Sequence, residues 1–386
     1  FRMLEMTREF ALARLEAAGE APHCRLRHAN YYATMAESIT RFGPGRRPLH
    51  ANPEQELPNA RAALEWAQLT EQSTLGLRLG GFGRLMHVRG QIREGIEWIE
   101  RMLLLDQRVR ARGSEAAPLS LRAERFNGLA RSLLSFGDLN RAEAHAHEAY
   151  RLAEEAGDDY AMSDSAATLG MVARQQGRLE AAIAALTLAR DHTPLADDGG
   201  LRFRIETLLA DVECDRGNLT IAAHLLESAL AGAEKNGNTW DAARIGTRLG
   251  WVACQRRQYE DSTRYFQASL MIFRTFDSPG FTASCLENYA GTLSAEERHA
   301  EATRLCAAAT TLRERAQMPA PRLEGEAVAR ILTAAQVTLG VVAYREVWEA
   351  GSGISGDEAI ALALTYTAQR LTADTQPQGE RRIFAV

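Results

Sequence analysis

The sequence predicts an all-α fold, a superhelix of helix–turn–helix units that repeat about every 40 residues. Three observations predict it. A short glycine motif returns at a constant interval, a small residue stands a fixed distance before each copy, and turn-forming residues recur at the same interval. Such a period is tested before domains are counted, because a repeat array grows unit by unit and length says little about it.

The motif is Gly-x-Leu-x-x-Ala. It reads Gly137-Asp138-Leu139…Ala142, then Gly177-Arg178-Leu179…Ala182, then Gly217-Asn218-Leu219…Ala222, a spacing of 40 both times. Two copies without the glycine continue in register, Arg257-Gln258-Tyr259…Ser262 and Glu297-Arg298-His299…Ala302. Seven residues before each motif position come Ala130, Gly170, Ala210, Gly250 and Ala290, the close-packing point of a first helix. Past the turn, Ala149, Ala189, Ala229, Ser269 and Ala309 mark the small face of a second helix, with Leu186, Leu226 and Phe266 as larger neighbours at helical spacing. Small residues let two helices approach, and large ones fill the gap to the next unit. Turns between units begin at positions 157, 197, 237 and 277, where Gly157-Asp158, Asp197-Asp198-Gly199-Gly200, Gly237-Asn238 and Asp277-Ser278-Pro279-Gly280 supply helix-ending residues. Upstream, Gly83…Gly90-Gln91-Ile92…Gly95 has the same internal spacing. It lies 47 residues before Gly137, which places a seven-residue insertion between Asp106 and Pro118.

With these residues in place, the pattern resembles the tetratricopeptide repeat in a form longer than its 34-residue consensus. That resemblance implies a right-handed α-α superhelix of tetratricopeptide-like repeats whose first helices line a concave groove. The flanks extend it. Phe1-Arg2-Met3-Leu4-Glu5-Met6 through Leu15 resembles the end of the winged-helix segment of bacterial STAND-class signalling ATPases. Arg27-His28-Ala29-Asn30-Tyr31-Tyr32 and Glu56-Leu57-Pro58-Asn59-Ala60 through Ala67 are similar to the helical bridge of those proteins, and Ala343 to Leu364, with Trp348, to the helices that close their repeat arrays. The expected organisation is the end of a winged-helix segment at 1–18, a helical bridge at 19–74, and a degenerate first repeat with its insertion at 75–118. Five repeats occupy 119–318, capping helices 319–370 and a flexible tail 371–386. The resemblance, to the MalT-like sensor region of AfsR/LuxR-like regulators, implies that the repeats sense a ligand or partner for an upstream ATPase module of the same polypeptide. Its alternative is a general interaction scaffold with no small-molecule input. The chain opens at Phe1 in mid-pattern and reads as a piece of something longer; after Leu364 it runs through Thr372 and Pro377 into a polar tail with no helix-turn-helix pattern.

Composition narrows the partners. Hydrophobic residues are 46% and charged ones 25%, ordinary for a folded soluble chain. The net charge is −5, with both signs mixed along the length, so no basic stripe stands ready for phosphates and direct nucleic-acid binding is not expected. Cys24, Cys214, Cys254, Cys285 and Cys306 have neither disulfide-framework nor zinc-site spacing, which fits a reduced cytoplasmic protein. Neither a membrane span nor a signal peptide is read in the sequence.

Chemistry is hard to place. Lys235, the sole lysine, lies between Glu234 and Asn236 and so cannot serve a Walker A loop, which needs Lys followed by Ser or Thr. Gly351-Ser352-Gly353-Ile354-Ser355-Gly356 matches a dinucleotide fingerprint, yet a helix and not a strand precedes it, and Ser355…Glu358 reads as a capping box. His145 and His147 stand two apart, on different faces of a helix, so a shared metal is not expected. The acidic pairs Glu154-Glu155, Asp158-Asp159 and Asp197-Asp198 fall at helix ends and turns, where solubility explains them better than catalysis. Cys214 and Cys254 take equivalent positions in neighbouring units, too far apart for a disulfide and read as packing residues. No enzyme, cofactor or metal is expected in this segment.

Binding is therefore the expected mode, to a protein or a small molecule in the groove. The position after the small residue reads Arg131, Met171, Asp211, Trp251 and Gly291; three further on come Leu134, Arg174, Cys214, Cys254 and Ser294. Three before it stand Asn127, Ala167, Thr207, Thr247 and Glu287, side chains expected to vary because packing does not need them. Trp251 is the anchor candidate, since an indole offers large area and one donor, with packing against a neighbouring helix as the competing reading. Arg131, Arg174, Arg204 and Arg244, with Asp211 and Asp215, are candidates for charge selectivity. Together with Asn127 and Glu287 these make up the candidate groove.

Overall fold

A computed structural model describes residues 5–42, 56–83, 86, 91–193, 200–276, 278–316, 320 and 322–371. Phe1 to Leu4, Gly90, Asp197, Asp198, Gly199, Asp277 and residues 372–386, all of which entered the sequence argument, lie outside the described residues. The described elements are helices throughout, so the chain is an all-α repeat protein. In order they are α1 (Glu5–Ala17), α2 (Ala21–Phe42), α3 (Leu57–Leu69), α4 (Ser73–Leu79), α5 (Ile92–Ala111), α6 (Leu119–Phe136), α7 (Leu139–Ala156), α8 (Asp159–Gln175) and α9 (Leu179–Asp191). They continue with α10 (Gly200–Asp215), α11 (Leu219–Lys235), α12 (Thr239–Gln255), α13 (Tyr259–Thr275), α14 (Pro279–Ala295), α15 (His299–Ala316), α16 (Arg322–Leu339), α17 (Val341–Ser352) and α18 (Gly356–Leu371). Two compact units divide the chain, Phe1–Thr168 and Leu169–Val386.

The 40-residue motif is a helix end and a helix start. In each copy the glycine position is the left-handed residue after the first helix, and the leucine position is the first residue of the second. Gly177 N–H donates to the Arg174 carbonyl and Arg178 N–H to the Ala173 carbonyl, both at 2.9 Å, which is the Schellman closure. The same pair of bonds closes the copies that lost their glycine: Arg257 and Glu297 both hold φ near +62° and make them in the same register. Backbone geometry has outlived the residue type that favours it.

Packing follows the small residues. Ala130, Ala210 and Ala290 in first helices and Ala149, Ala189, Ala229, Ser269 and Ala309 in second helices are all fully buried. A Cβ on Gly170 would lie 2.6 Å from Leu186 Cγ, and one on Gly250 would lie 2.8 Å from the Phe266 ring, so these two glycines are set by the partner helix. Where serine replaces alanine, its hydroxyl is satisfied by a carbonyl: Ser262 Oγ donates to Gly250 O at 2.7 Å and Ser269 Oγ to Ala243 O at 2.8 Å.

In the first unit, Gly83 and Gly95 meet as the first and second helices of later repeats do; a Cβ on Gly83 would lie 2.8 Å from Ile99 Cδ1. The stretch between α5 and α6 is pinned by Asp106, 1% exposed, which accepts from Ala117 N and Arg110 Nε, both at 3.1 Å, and forms an ion pair with Arg122 at 3.3 Å. At the far end of the second unit, α16 stacks on α14 and α15, α17 lies on α15, and α18 folds back against α13, α14 and α15. Gly351 is needed for closeness there: its Cβ would fall 2.5 Å from the Arg304 carbonyl oxygen. Ser355 and Glu358 form the reciprocal capping box at the start of α18, Ser355 N–H donating to Glu358 Oε2 at 2.7 Å. The glycines of 351–356 thus serve helix packing and a helix start.

Candidate binding face

The first helices α6, α8, α10, α12 and α14 carry the candidate residues. In the first unit, Asp164 on α8 gathers two of them from α6. It accepts from Asn127 Nδ2 at 2.6 Å and from Arg131 Nη1 at 2.9 Å. In the second unit, Arg174 on α8 donates from Nε to Asp215 Oδ2 at 2.6 Å and from Nη1 to Asp211 Oδ2 at 3.2 Å. Arg248 on α12 meets the other oxygen of Asp211, Nε to Oδ1 at 2.7 Å. Asp211, 8% exposed, is therefore held between arginines from both neighbouring first helices, and its carboxylate raises the pKa of the Arg248 guanidinium.

Further along, Glu287 on α14 is clamped by Arg313 of α15, with Nε and Nη2 donating at 2.7 and 2.8 Å. Arg313 also donates to Glu324 of α16 at 3.0 Å, and Ser284 Oγ donates to the same carboxylate at 3.1 Å. Burial works against the charge of Arg313, and the two glutamates more than offset it, leaving its pKa raised. Arg244 pairs with Asp241 at 2.9 Å and lies over the Phe281 ring at 5.7 Å. Arg204 is half-buried on α10, at the register position that Asp164 and Arg244 hold in their own repeats.

Two expectations change here. The position three before the small residue is a packing position: Asn127, Ala167, Thr207, Thr247 and Glu287 are all buried, Asn127 at 2%. Sequence register cannot see this, because the polar members find partners inside the packing layer: Thr207 and Thr247 donate to carbonyls of their own helices, Glu287 meets Arg313, and Asn127 donates to Asp164 while its Oδ1 stays without a partner among the described residues. Trp251 is half-buried and packs against two apolar clusters, one around Leu226 and Leu249 and the other around Phe266 and Tyr289. Its ring joins consecutive repeats and leaves only part of its area to a ligand.

Asp164, Arg248 and Arg313 escape sequence reasoning. Asp164 lies six before Gly170, on a register line occupied by Glu124, Arg204, Arg244 and Ser284 in the other units, and mapping that line would have raised it. The cysteines remain apart from any chemistry. All five are free thiols, burial pushes Cys214 and Cys285 up to about 12, and Cys306 is also raised by burial. Among the described residues, no group of three or more His, Cys, Asp or Glu is placed to hold a metal ion, and no helix is long and apolar enough to cross a membrane.

No family model matches the chain. Over 168 residues, 42% of its length, it is 32% identical to proteins of Mycobacterium bovis and Mycobacterium tuberculosis named "Putative HTH-type transcriptional regulator". The matched part is 18% of those proteins, so the chain spans a small share of the relatives it resembles. Among solved structures it is similar to a Rap protein complexed with Competence and Sporulation Factor, at 12% identity over 90% of this chain and 99% of that one, with a TM-score of 0.46. It is also similar to BtubC from P. vanneervenii, at 16% identity over 66% and 97%, with a TM-score of 0.42.

Proposed function

We propose that this chain is the ligand- or partner-sensing tetratricopeptide-like region of a bacterial STAND-type signalling ATPase that regulates transcription, and that within this segment it acts in the cytoplasm by binding. The observation that carries the proposal is the 32% identity over 168 residues to much longer proteins named as transcriptional regulators. The first-helix face supplies the physical means. Arg131 in the first unit, and Arg174, Arg204, Asp215, Arg244 and the open part of Trp251 in the second, are the ligand contacts; Asn127 shares the Asp164 carboxylate with Arg131, Asp211 holds Arg174, and Glu287 is tied to Arg313 instead. Side chains already ordered in charge pairs lose little freedom on binding, so a protein segment or small ligand bearing both charge signs is the occupant favoured by this face.

Two experiments test the proposal. The gene sequence upstream of Phe1 is expected to encode a P-loop module followed by a winged helix; a start codon immediately before Phe1 would overturn it. For the face, Arg174→Ala is expected to weaken capture of the partner while helical content stays constant. Trp251→Ala should lower both binding and stability, because the indole is shared between the surface and two apolar clusters.

A further inference from the structure

The second unit contains one filled seat between second helices and, one repeat earlier, a counterpart that none of the described elements fills. The filled seat is walled by α13, α14 and α15 and holds α18. Tyr366 of α18, 5% exposed, is its anchor. Arg298 lies over the Tyr366 ring at 5.7 Å and donates to the Tyr366 carbonyl at 3.4 Å; Arg304 Nη1 donates to the hydroxyl at 3.4 Å. Gln267 Nε2 donates to the Leu364 carbonyl at 3.5 Å, and at the other end of the helix Arg274 pairs with Asp357 at 2.9 Å.

Forty residues earlier in register, α11, α12 and α13 wall a cavity of about 280 Å³. Glu227, Gln258, Asp261 and Arg264 line it, the counterparts of Gln267, Arg298, Glu301 and Arg304, and Leu249 and Val252 contribute apolar surface. The chemistry of the walls is related but not identical. Gln258 and Arg264 keep donors where Tyr366 is held, whereas α11 presents Glu227 and Glu234 where α13 presents Gln267 and Arg274. Two buried atoms, Arg264 Nε in the cavity wall and Glu234 Oε1 two turns along α11 from the lining residue Glu227, have no hydrogen-bond partner among the described residues. Buried groups in that condition favour an occupant that supplies the missing donor and acceptor.

We propose that this cavity seats an amphipathic helix of a partner protein that inserts an aromatic side chain beside Arg264 and carries a lysine or arginine about nine positions earlier, facing Glu234. The aromatic follows from the Tyr366 seat, and the basic residue from the charge reversal at the position that meets Asp357, nine residues before Tyr366. The site is distinct from the first-helix face, and the proposal stands whatever that face recognises.

The test uses the full chain and a synthetic peptide with the 16-residue sequence of α18, Asp357→Lys, stapled on its solvent face to hold it helical and labelled for fluorescence anisotropy. Saturable binding is expected, weakened roughly tenfold or more by Tyr366→Ala in the peptide or Glu234→Gln in the protein, and weaker for the peptide that retains Asp357. Glu234→Gln keeps the side chain's size, so that variant folds normally; Ala253→Phe, which fills the cavity, is a second arm and should also abolish binding. No saturable binding overturns the proposal, as does binding indifferent to Glu234→Gln. Loss of binding through Arg298→Ala in place of Glu234→Gln also overturns it, since the peptide would then be displacing the resident α18.

Discussion

Replacing Arg257 or Glu297 with glycine should stabilise the protein. Both side chains are exposed and both residues sit at φ +62°, in the left-handed region that costs a residue with a Cβ about 1–2 kcal/mol. Glycine removes that cost but adds conformational entropy to the unfolded chain, about 0.5–1 kcal/mol. The net gain is then about 0.5–1 kcal/mol for each site. The reverse exchange is available in the same molecule. Gly177 and Gly217 hold φ +76° and +82° with nothing within 4 Å of the place a Cβ would take, so alanine there meets no clash and should cost about the same amount that glycine gains. Urea unfolding followed by circular dichroism at 222 nm measures all four variants. Arg257→Gly and Glu297→Gly should raise the midpoint and Gly177→Ala and Gly217→Ala should lower it, with unchanged slopes. If Arg257→Gly lowers the midpoint, the Arg257 side chain stabilises the turn by more than its backbone strains it, and the reasoning fails.

Other variants probe packing and charge. Gly250→Ala should destabilise by about 1–3 kcal/mol, because its methyl would press on the Phe266 ring, and Phe266→Leu in the same chain should restore part of the loss in denaturant titrations. Glu287→Gln should cost about 2–3 kcal/mol, less than the ~3–5 kcal/mol of a fully orphaned buried charge, because Glu324 still holds Arg313; a loss below ~1 kcal/mol would mean the pair is not desolvated. His145 stacks on Phe126, and its pKa is depressed from 6.5, first by burial and then by Arg141. A depressed folded-state pKa gives stability that is present above pH 6.5 and is lost as pH falls below it, so melting temperature should drop between pH 7.5 and 5.5. His145→Gln should flatten that slope, and an unchanged slope would remove His145 from the account.

The repeat was legible because it is written in small residues that the closeness of the partner helix demands. A Cβ at Gly170 or Gly250 collides with a partner side chain, and Ala149, Ala189 and Ala229 are wholly enclosed, so these positions could carry the period through otherwise divergent segments. The capping box at Ser355 was legible for a related reason, since two side chains three apart satisfy each other's backbone without help from the rest of the fold. The face residues were harder. Arg131, Arg174 and Asp211 could be placed on first helices by register, but their partners stand 33 to 41 residues away in the next repeat, and nothing in one repeat says which of several carboxylates will be met. Asn127 and Glu287 look like open positions only while polarity is equated with exposure, whereas the Glu287 charge and the Asn127 amide nitrogen are matched inside the packing layer. The seat of α18 left no trace in any motif, because it joins elements nearly 100 residues apart.

One helix connects the two candidate surfaces of the second unit. On α12, Leu249, Val252 and Ala253 fall at helical spacing and, with Arg256 just past its end, face the cavity between second helices. Arg248 belongs to a different stripe and pairs with Asp211 on α10. A helix moves as a body, so a ligand that draws Arg248 away from Asp211 rotates or shifts α12 and changes the cavity walls with it. By linkage, a helix seated in the cavity must alter affinity on the first-helix face by the same factor. Arg248→Ala removes the Asp211 contact without touching the cavity lining, and coupling of about 1 kcal/mol would change the affinity of the stapled peptide roughly fivefold. Equal affinity for the Arg248→Ala variant and the native chain would show that α12 is held too firmly by its neighbours to carry a signal, leaving the two surfaces independent.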